Sequence, residues 1–210
     1  MWAVRGPRRH FIHSKVMAWV AMDRAVKAVE EFGLRGPVEK WRRLRNEIHD
    51  QIYREGFDSE LNSFVQHYGS KELDGSLLML PLVGFISATD ARMRGTVESI
   101  QRRLVRDGFV YPYTNFSEID VLPEGGGASL LCTFWLADNL AWQGRYTEAR
   151  DIFERLLDLR NDVGLLSEQY DPGTRRLIGN FPHAFAHVGL INTARNLMGA
   201  GALAESQQNR

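Results

Sequence analysis

Apolar residues recur at helical spacing in one segment after another of this 210-residue chain, and the segments alternate between two kinds. Residues 72–85 (ELDGSLLMLPLVGF) and 128–144 (ASLLCTFWLADNLAWQG) are apolar nearly all round. Residues 38–56, 89–105 and 146–160 carry one apolar stripe and one charged face; in the first of these the stripe is Trp41, Leu44, Ile48 and Ile52. Segments 13–32 and 182–198 take odd positions alongside the apolar ones, giving seven predicted helices. A helix that is apolar on most sides must be buried, and one with a single stripe packs against it from outside. The alternation predicts an all-α fold with an inner and an outer layer. Ser14 and Thr147 are the expected N-caps, and Gly33 and Gly56 the expected closers.

The inner helices begin near residues 13, 72, 128 and 182, a repeat of one hairpin plus one loop every 54–59 residues. Inner-to-outer connections are short (33–37, 86–88 and around Gly144), whereas outer-to-inner connections are long (57–71, 106–127 and 161–181). In a ring of hairpins the long loops all fall at one end, together with residues 1–12. Long loops gathered on one rigid face usually carry function. These hold Trp2, Arg5, Arg9 and His10, then Gln66, His67 and Tyr68, then Tyr111, Tyr113 and Glu124, then Glu168, Gln169 and Tyr170. Aromatic faces, amides, guanidinium groups and carboxylates suit a sugar, whose C–H face stacks and whose hydroxyls take directional hydrogen bonds. The same residues also read as turn formers with aromatic plugs over the mouth of a helical ring.

The formal net charge is zero, from 26 basic and 26 acidic residues, which argues against nucleic-acid and anionic-membrane partners. Cys132 is the single cysteine, so there is no disulfide framework, and its apolar setting places it in the core. His67, His183 and His187 lack a metal-ligand spacing with acidic partners; no metal and no cofactor are expected. The N-terminus has no stretch of signal-peptide type, and the run LLMLPLVGFI is too short to span a bilayer, so a cytoplasmic address is expected. The stretch GRYTEARDIFERLLDLR has the look of one tetratricopeptide helix, but it occurs once, and the hairpin period exceeds that unit's ~34 residues.

Four stretches, in order and at these distances, resemble glycoside hydrolase family 15, which includes glucoamylases, glucodextranases and bacterial trehalases. They are RRHFIHSKVMAWVAMDRAV, YGSKELDGSLLMLPLVGF, LLCTFWLADNLAWQGRYTEARDIFERLL and LRNDVGLLSEQYDPGTRRLIGNFPHAFAHVGLINTA. The resemblance implies the C-terminal part of an (α/α)6 toroid over residues 1–198, with 199–210 as a frayed tail. It also implies inverting hydrolysis of α-glucosidic bonds. In such a mechanism two carboxyl groups stand roughly 6.5–9.5 Å apart, one protonating the leaving oxygen and the other activating a water. The family's general base is the glutamate of the SEQYD motif, which is Glu168. Its general acid follows a tryptophan that matches Trp2, and the next residue is Ala3, so the acid is lost at that position. Glu124 is the one loop acid that could substitute. The resemblance further gives Trp2, Arg5, His10, Tyr68, Tyr170 and Phe185 as substrate-contact positions. For His10 and Phe185 packing at the mouth serves equally well.

Seven helices are fewer than the twelve of that toroid. An open arc leaves the apolar sides of its end helices uncovered, so the chain is expected to be a piece of a longer product, to form homo-oligomers, or to be a decayed, non-catalytic relative that at most binds sugar. The expected partner is an α-glucoside or oligosaccharide. Trehalose, maltose, isomalto-type linkages and starch ends all remain open.

Overall fold

A computed structural model describes residues 7–113 and 126–208. Seven α-helices account for most of them: α1 Ile12–Glu30, α2 Val38–Glu55, α3 Met79–Leu82, α4 Ala91–Leu104, α5 Leu130–Trp142, α6 Tyr146–Leu157 and α7 Ala184–Gln208. They form an arc of an (α/α)6 toroid. The inner layer runs α1, α3, α5, α7, and the outer layer α2, α4, α6. Along the arc α1 packs on α2, α5 on both α6 and α7, and α3 with the 3-10 turn before it bridges α1 to α5. Helix α5 is the keystone: all ten residues from Cys132 to Ala141 are buried, the polar Thr133, Asp138 and Asn139 among them, as a helix enclosed on every side requires. No helix among the described residues is long and apolar enough to cross a membrane.

The expected third helix, 72–85, is much shorter. It consists of a 3-10 turn at Gly75–Leu78 continued by the single turn of α3. Asp74 caps it, its carboxylate accepting from the Ser76 amide at 2.7 Å. Pro81 has no amide to donate, and Gly84 leaves the helix with φ +80°, a conformation that suits glycine. Apolar content here reflects burial, since Leu77, Leu78 and Leu80 are all fully enclosed. The two expected caps are also corrected. Helix α1 starts at Ile12 after Phe11, two residues before Ser14, because the Ile12 amide is already taken by the Gln66 carbonyl. Helix α6 starts at Tyr146 after Arg145, so Thr147 falls inside the first turn and does not cap it, and the Arg145 guanidinium pairs with Glu148. The last helix runs from Ala184 to Gln208.

Three small antiparallel sheets, absent from the sequence reading, occupy the long loops. β1 (Phe57–Asp58) pairs with β2 (Ser63–Phe64), and β3 (Val105–Arg106) with β4 (Phe109–Val110). The third sheet joins β5 (Ala128–Ser129), β6 (Gln169–Asp171) and β7 (Arg176–Ile178) in that order. Strands this short leave no period-2 pattern to find. The core divides into a large cluster between α1, α3, α4 and α5 and a smaller one that includes Phe109, Leu130, Phe134, Leu156 and Leu166. Cys132 is fully buried in the first, and burial pushes its thiol up to about 12. At the far end of the arc α7 exposes Phe185, Val188, Ile191 and Met198, in keeping with the uncovered apolar side expected of an end helix.

Candidate functional site

The long loops collect at the N-terminal ends of the inner helices, and the third sheet is built there. Ser129 caps α5, its hydroxyl accepting from the Cys132 amide, and it also stands opposite Gln169 in the β5–β6 ladder. The SEQYD stretch is therefore the first strand of a hairpin, β6–β7, turning through Asp171–Pro172–Gly173. Asp171 holds that turn by accepting from Gly173 N and Thr174 Oγ1. The Thr174 hydroxyl keeps its carboxyl below the usual range.

Glu168 lies at the mouth of this hairpin and is half-buried. Its carbonyl accepts from the Leu130 amide at 3.3 Å, and its amide donates to the Asn180 carbonyl at 2.9 Å. The carboxylate is held from one side only: Oε2 accepts from Asn180 Nδ2 at 2.7 Å and from Asn180 N at 3.3 Å. Among the described residues Oε1 has no such partner. Beneath it, Ser167 is buried and donates to the Gln169 carbonyl, while Gln169 Oε1 accepts from the Gly127 amide. His187 of α7 fixes the strand leading in. Its Nε2 accepts from the Leu166 amide at 3.3 Å and its Nδ1 faces the His183 carbonyl at 2.8 Å, which assigns the ring proton to Nδ1.

Tyr170 follows on β6, half-buried, with its ring 5.2 Å from that of Phe109 in the smaller cluster. Phe185 stands on the first turn of α7, 63% exposed and edge-on to His183. His10 and Tyr68 form a second group, stacked at 5.4 Å, with the Tyr68 amide donating to the His10 carbonyl. Lys15 Nζ of α1 lies over the Tyr68 ring, the Tyr68 hydroxyl is buried without a partner among the described residues, and burial raises its pKa. His67 is spent locally, accepting from Arg9 at 2.6 Å and donating to the Tyr68 carbonyl. No group of three or more His, Cys, Asp or Glu able to hold a metal occurs among the described residues. Trp2, Ala3, Arg5 and Glu124 lie outside the described residues.

The two groups are joined by a belt of main-chain and buried polar links. Gln66 donates to Asp74 at 3.3 Å, Asp74 bridges to Tyr113, and Gly75 N donates to the Pro112 carbonyl. A side chain at Gly75 would meet Cys132, on the first turn of α5 after Ser129. From there the β5–β6 ladder leads to Glu168. The sequence reading missed Asn180. It stands twelve positions from Glu168 with no periodicity connecting the two, and the only local signal is the Gly179–Asn180 pair, typical of a tight turn.

Comparisons with known proteins bear on this arrangement. The trehalase of Thermoplasma volcanium is 38% identical over 197 residues, covering 94% of this chain and 31% of its own. The trehalase of Mycobacterium tuberculosis is 38% identical over 206 residues, covering 98% and 30%. The chain thus spans about a third of the length of these curated relatives. Among solved structures, a wild-type glycosidase superposes with a TM-score of 0.75 at 21% identity, over 91% of this chain and 53% of its own. The glucoamylase of Saccharomycopsis fibuligera does so with 0.69 at 13%, over 92% and 56%. At those identities the superpositions speak to the fold alone, and they support an arc covering part of a toroid. The family profile described as glycosyl hydrolases family 15 matches residues 1–195, so with the sequence matches this chain belongs to glycosyl hydrolase family 15.

Proposed function

We propose that this chain serves α-glucoside hydrolysis of the trehalase type, with Glu168 as the general base. The observation that carries the reading is Glu168 itself. It matches the family's base motif, its backbone is pinned on both sides, and Asn180 holds one carboxylate oxygen while the other is left for a water. In an inverting reaction that water attacks the anomeric carbon, its proton passes to Glu168, and the glycosidic oxygen leaves with a proton from a second carboxyl group. Trehalose is the preferred substrate because curated relatives that match this chain over nearly its whole length carry the name trehalase. Tyr170 and Phe185 on the hairpin side, and His10 and Tyr68 on the other, are proposed to face the sugar with Trp2 and Arg5. The cytoplasm is the proposed compartment, in keeping with a lone buried thiol that needs no oxidising surroundings.

A specific observation favours a second reading. By the family resemblance, Ala3 takes the position of the general acid, and a methyl group cannot donate a proton. Loss of general-acid help costs about 10²–10⁴ in rate. A sugar-binding relative with little or no turnover is the alternative. Glucose release from trehalose by the wild type, Ala3→Glu and Glu168→Gln separates the two. The hydrolase reading expects slow release by the wild type, at least about 100-fold more with Ala3→Glu, and none with Glu168→Gln. Trehalose binding without turnover in any variant supports the non-catalytic reading. Neither binding nor turnover refutes both.

A further inference from the structure

We infer that Asn180 is a positioning residue that clamps the Glu168 carboxylate in one orientation, with Gly179 as the spacer that makes the clamp possible. The inference rests on the reading of Glu168 as the base. Past the Gln169↔Ile178 pair, a regular ladder would set Glu168 opposite Gly179; instead the Glu168 amide reaches the Asn180 carbonyl. Gly179 is thus an extra residue on its strand, as in a β-bulge, a device that re-aims side chains next to sites. It takes φ +78°, which suits glycine. A Cβ there would also crowd the acid, standing 3.2 Å from Glu168 Cβ and 3.3 Å from Oε2.

The consequence for Asn180 is that its amide nitrogen and its side-chain nitrogen converge on the same oxygen. The terminal torsion of a glutamate is soft, and one hydrogen bond leaves the carboxylate free to rock. Two donors from one residue hold Oε2 and leave Oε1 as the acceptor for a water. The backbone part is reciprocal, since residue 168 donates to residue 180 and residue 180 donates back. Hydrogen bonds to an ionised group are the strong ones. A merely structural asparagine would bond to neutral turn groups, as Asn161 does with the Val163 and Leu165 amides.

Two measurements on the 210-residue chain test this. The first is the side-chain amide signal of Asn180 in 15N-resolved NMR spectra, comparing the wild type with Glu168→Gln. The clamp predicts that the Nδ2 proton facing the carboxylate moves upfield when the charge is removed. An unchanged signal overturns the inference whatever the chain binds. The second is the affinity for a protonated piperidine sugar of glucose configuration, a cation that pairs with a correctly aimed carboxylate. Asn180→Asp keeps the shape but turns the donor into an acceptor, and weakening of about tenfold or more is expected, as with Asn180→Ala. Asn180→Gln, which keeps a donor, restores part of it. Wild-type binding that Glu168→Gln weakens and Asn180→Asp leaves alone refutes the clamp. Absence of wild-type binding, or binding that Glu168→Gln leaves unchanged, refutes the reading of Glu168 as a sugar-facing base, while the amide signal still decides the clamp.

Discussion

Replacing Asp138 by Asn should make the stability of this protein less dependent on pH, by an amount the structure allows to be worked out. Asp138 lies in the middle of α5 and is 1% exposed. Oδ1 accepts from Asn196 Nδ2 of α7 at 2.9 Å, and Oδ2 has no partner among the described residues. Burial raises its pKa from 3.8 to about 6, against the smaller opposing effect of Asn196 and the nearby Thr193 hydroxyl. The folded state therefore holds a proton that the unfolded chain gives up at lower pH. The group's contribution is intact below the unfolded value and is lost as pH rises through the folded one. A shift of about two units corresponds to about 3 kcal/mol in all, of which about 2 kcal/mol falls between pH 4 and pH 7. Asn cannot ionise but can still accept from Asn196. The stability difference between Asp138→Asn and wild type should thus move by about 2 kcal/mol in the variant's favour from pH 4 to pH 7, or ~4–8 °C in Tm for a chain of this size. Urea titrations across that range measure it. Any constant cost of the new amide, and the titration of every other carboxylate, cancels in the change with pH. A difference that stays flat within about 0.5 kcal/mol would refute the reasoning and mean that the carboxylate is compensated in the folded state.

Four further outcomes follow from packing, hydrogen bonding and exposure. Leu77→Ala, at a fully enclosed position in the large cluster, should cost about 2–5 kcal/mol in denaturant unfolding. Gly95→Ala should cost about 1–3 kcal/mol, because the new methyl would meet the Asn62 carbonyl oxygen at 2.1 Å and either the loop or α4 must move. His187→Ala leaves the Leu166 amide without its acceptor; about 1–3 kcal/mol and faster hydrogen exchange over 165–170 are expected, and unchanged exchange there would show that the ring does not hold the strand. Ile191→Lys, at a residue 63% exposed on α7, should change stability by no more than about 0.5 kcal/mol while reducing aggregation on heating, and a larger loss would show that this face is packed in solution.

The parts of the fold that were legible are those in which one helix carries its own signal. Burial all round α5, the stripe on α2 and the lopsided loop lengths each leave a local pattern, and they gave the two layers and the face where the loops gather. Helix ends were less legible. Ser14 and Thr147 have the right chemistry for caps, but α1 starts earlier, where Gln66 takes the Ile12 amide, and α6 starts one residue before Thr147. Segment 72–85 read as a full helix because its residues are apolar, and burial in the middle of an arc demands that whatever the backbone does.

Sequence alone determined the periodicity, the layering and the SEQYD motif that holds Glu168, because these depend on residues near one another in the chain. Tertiary structure decided what surrounds that acid. Asn180 comes to it across a hairpin, Leu130 holds its carbonyl from the start of α5, and His187 fixes its approach from α7. Such contacts are set by where a bulge and a helix start fall in space, and no spacing of residue types along the chain encodes those distances.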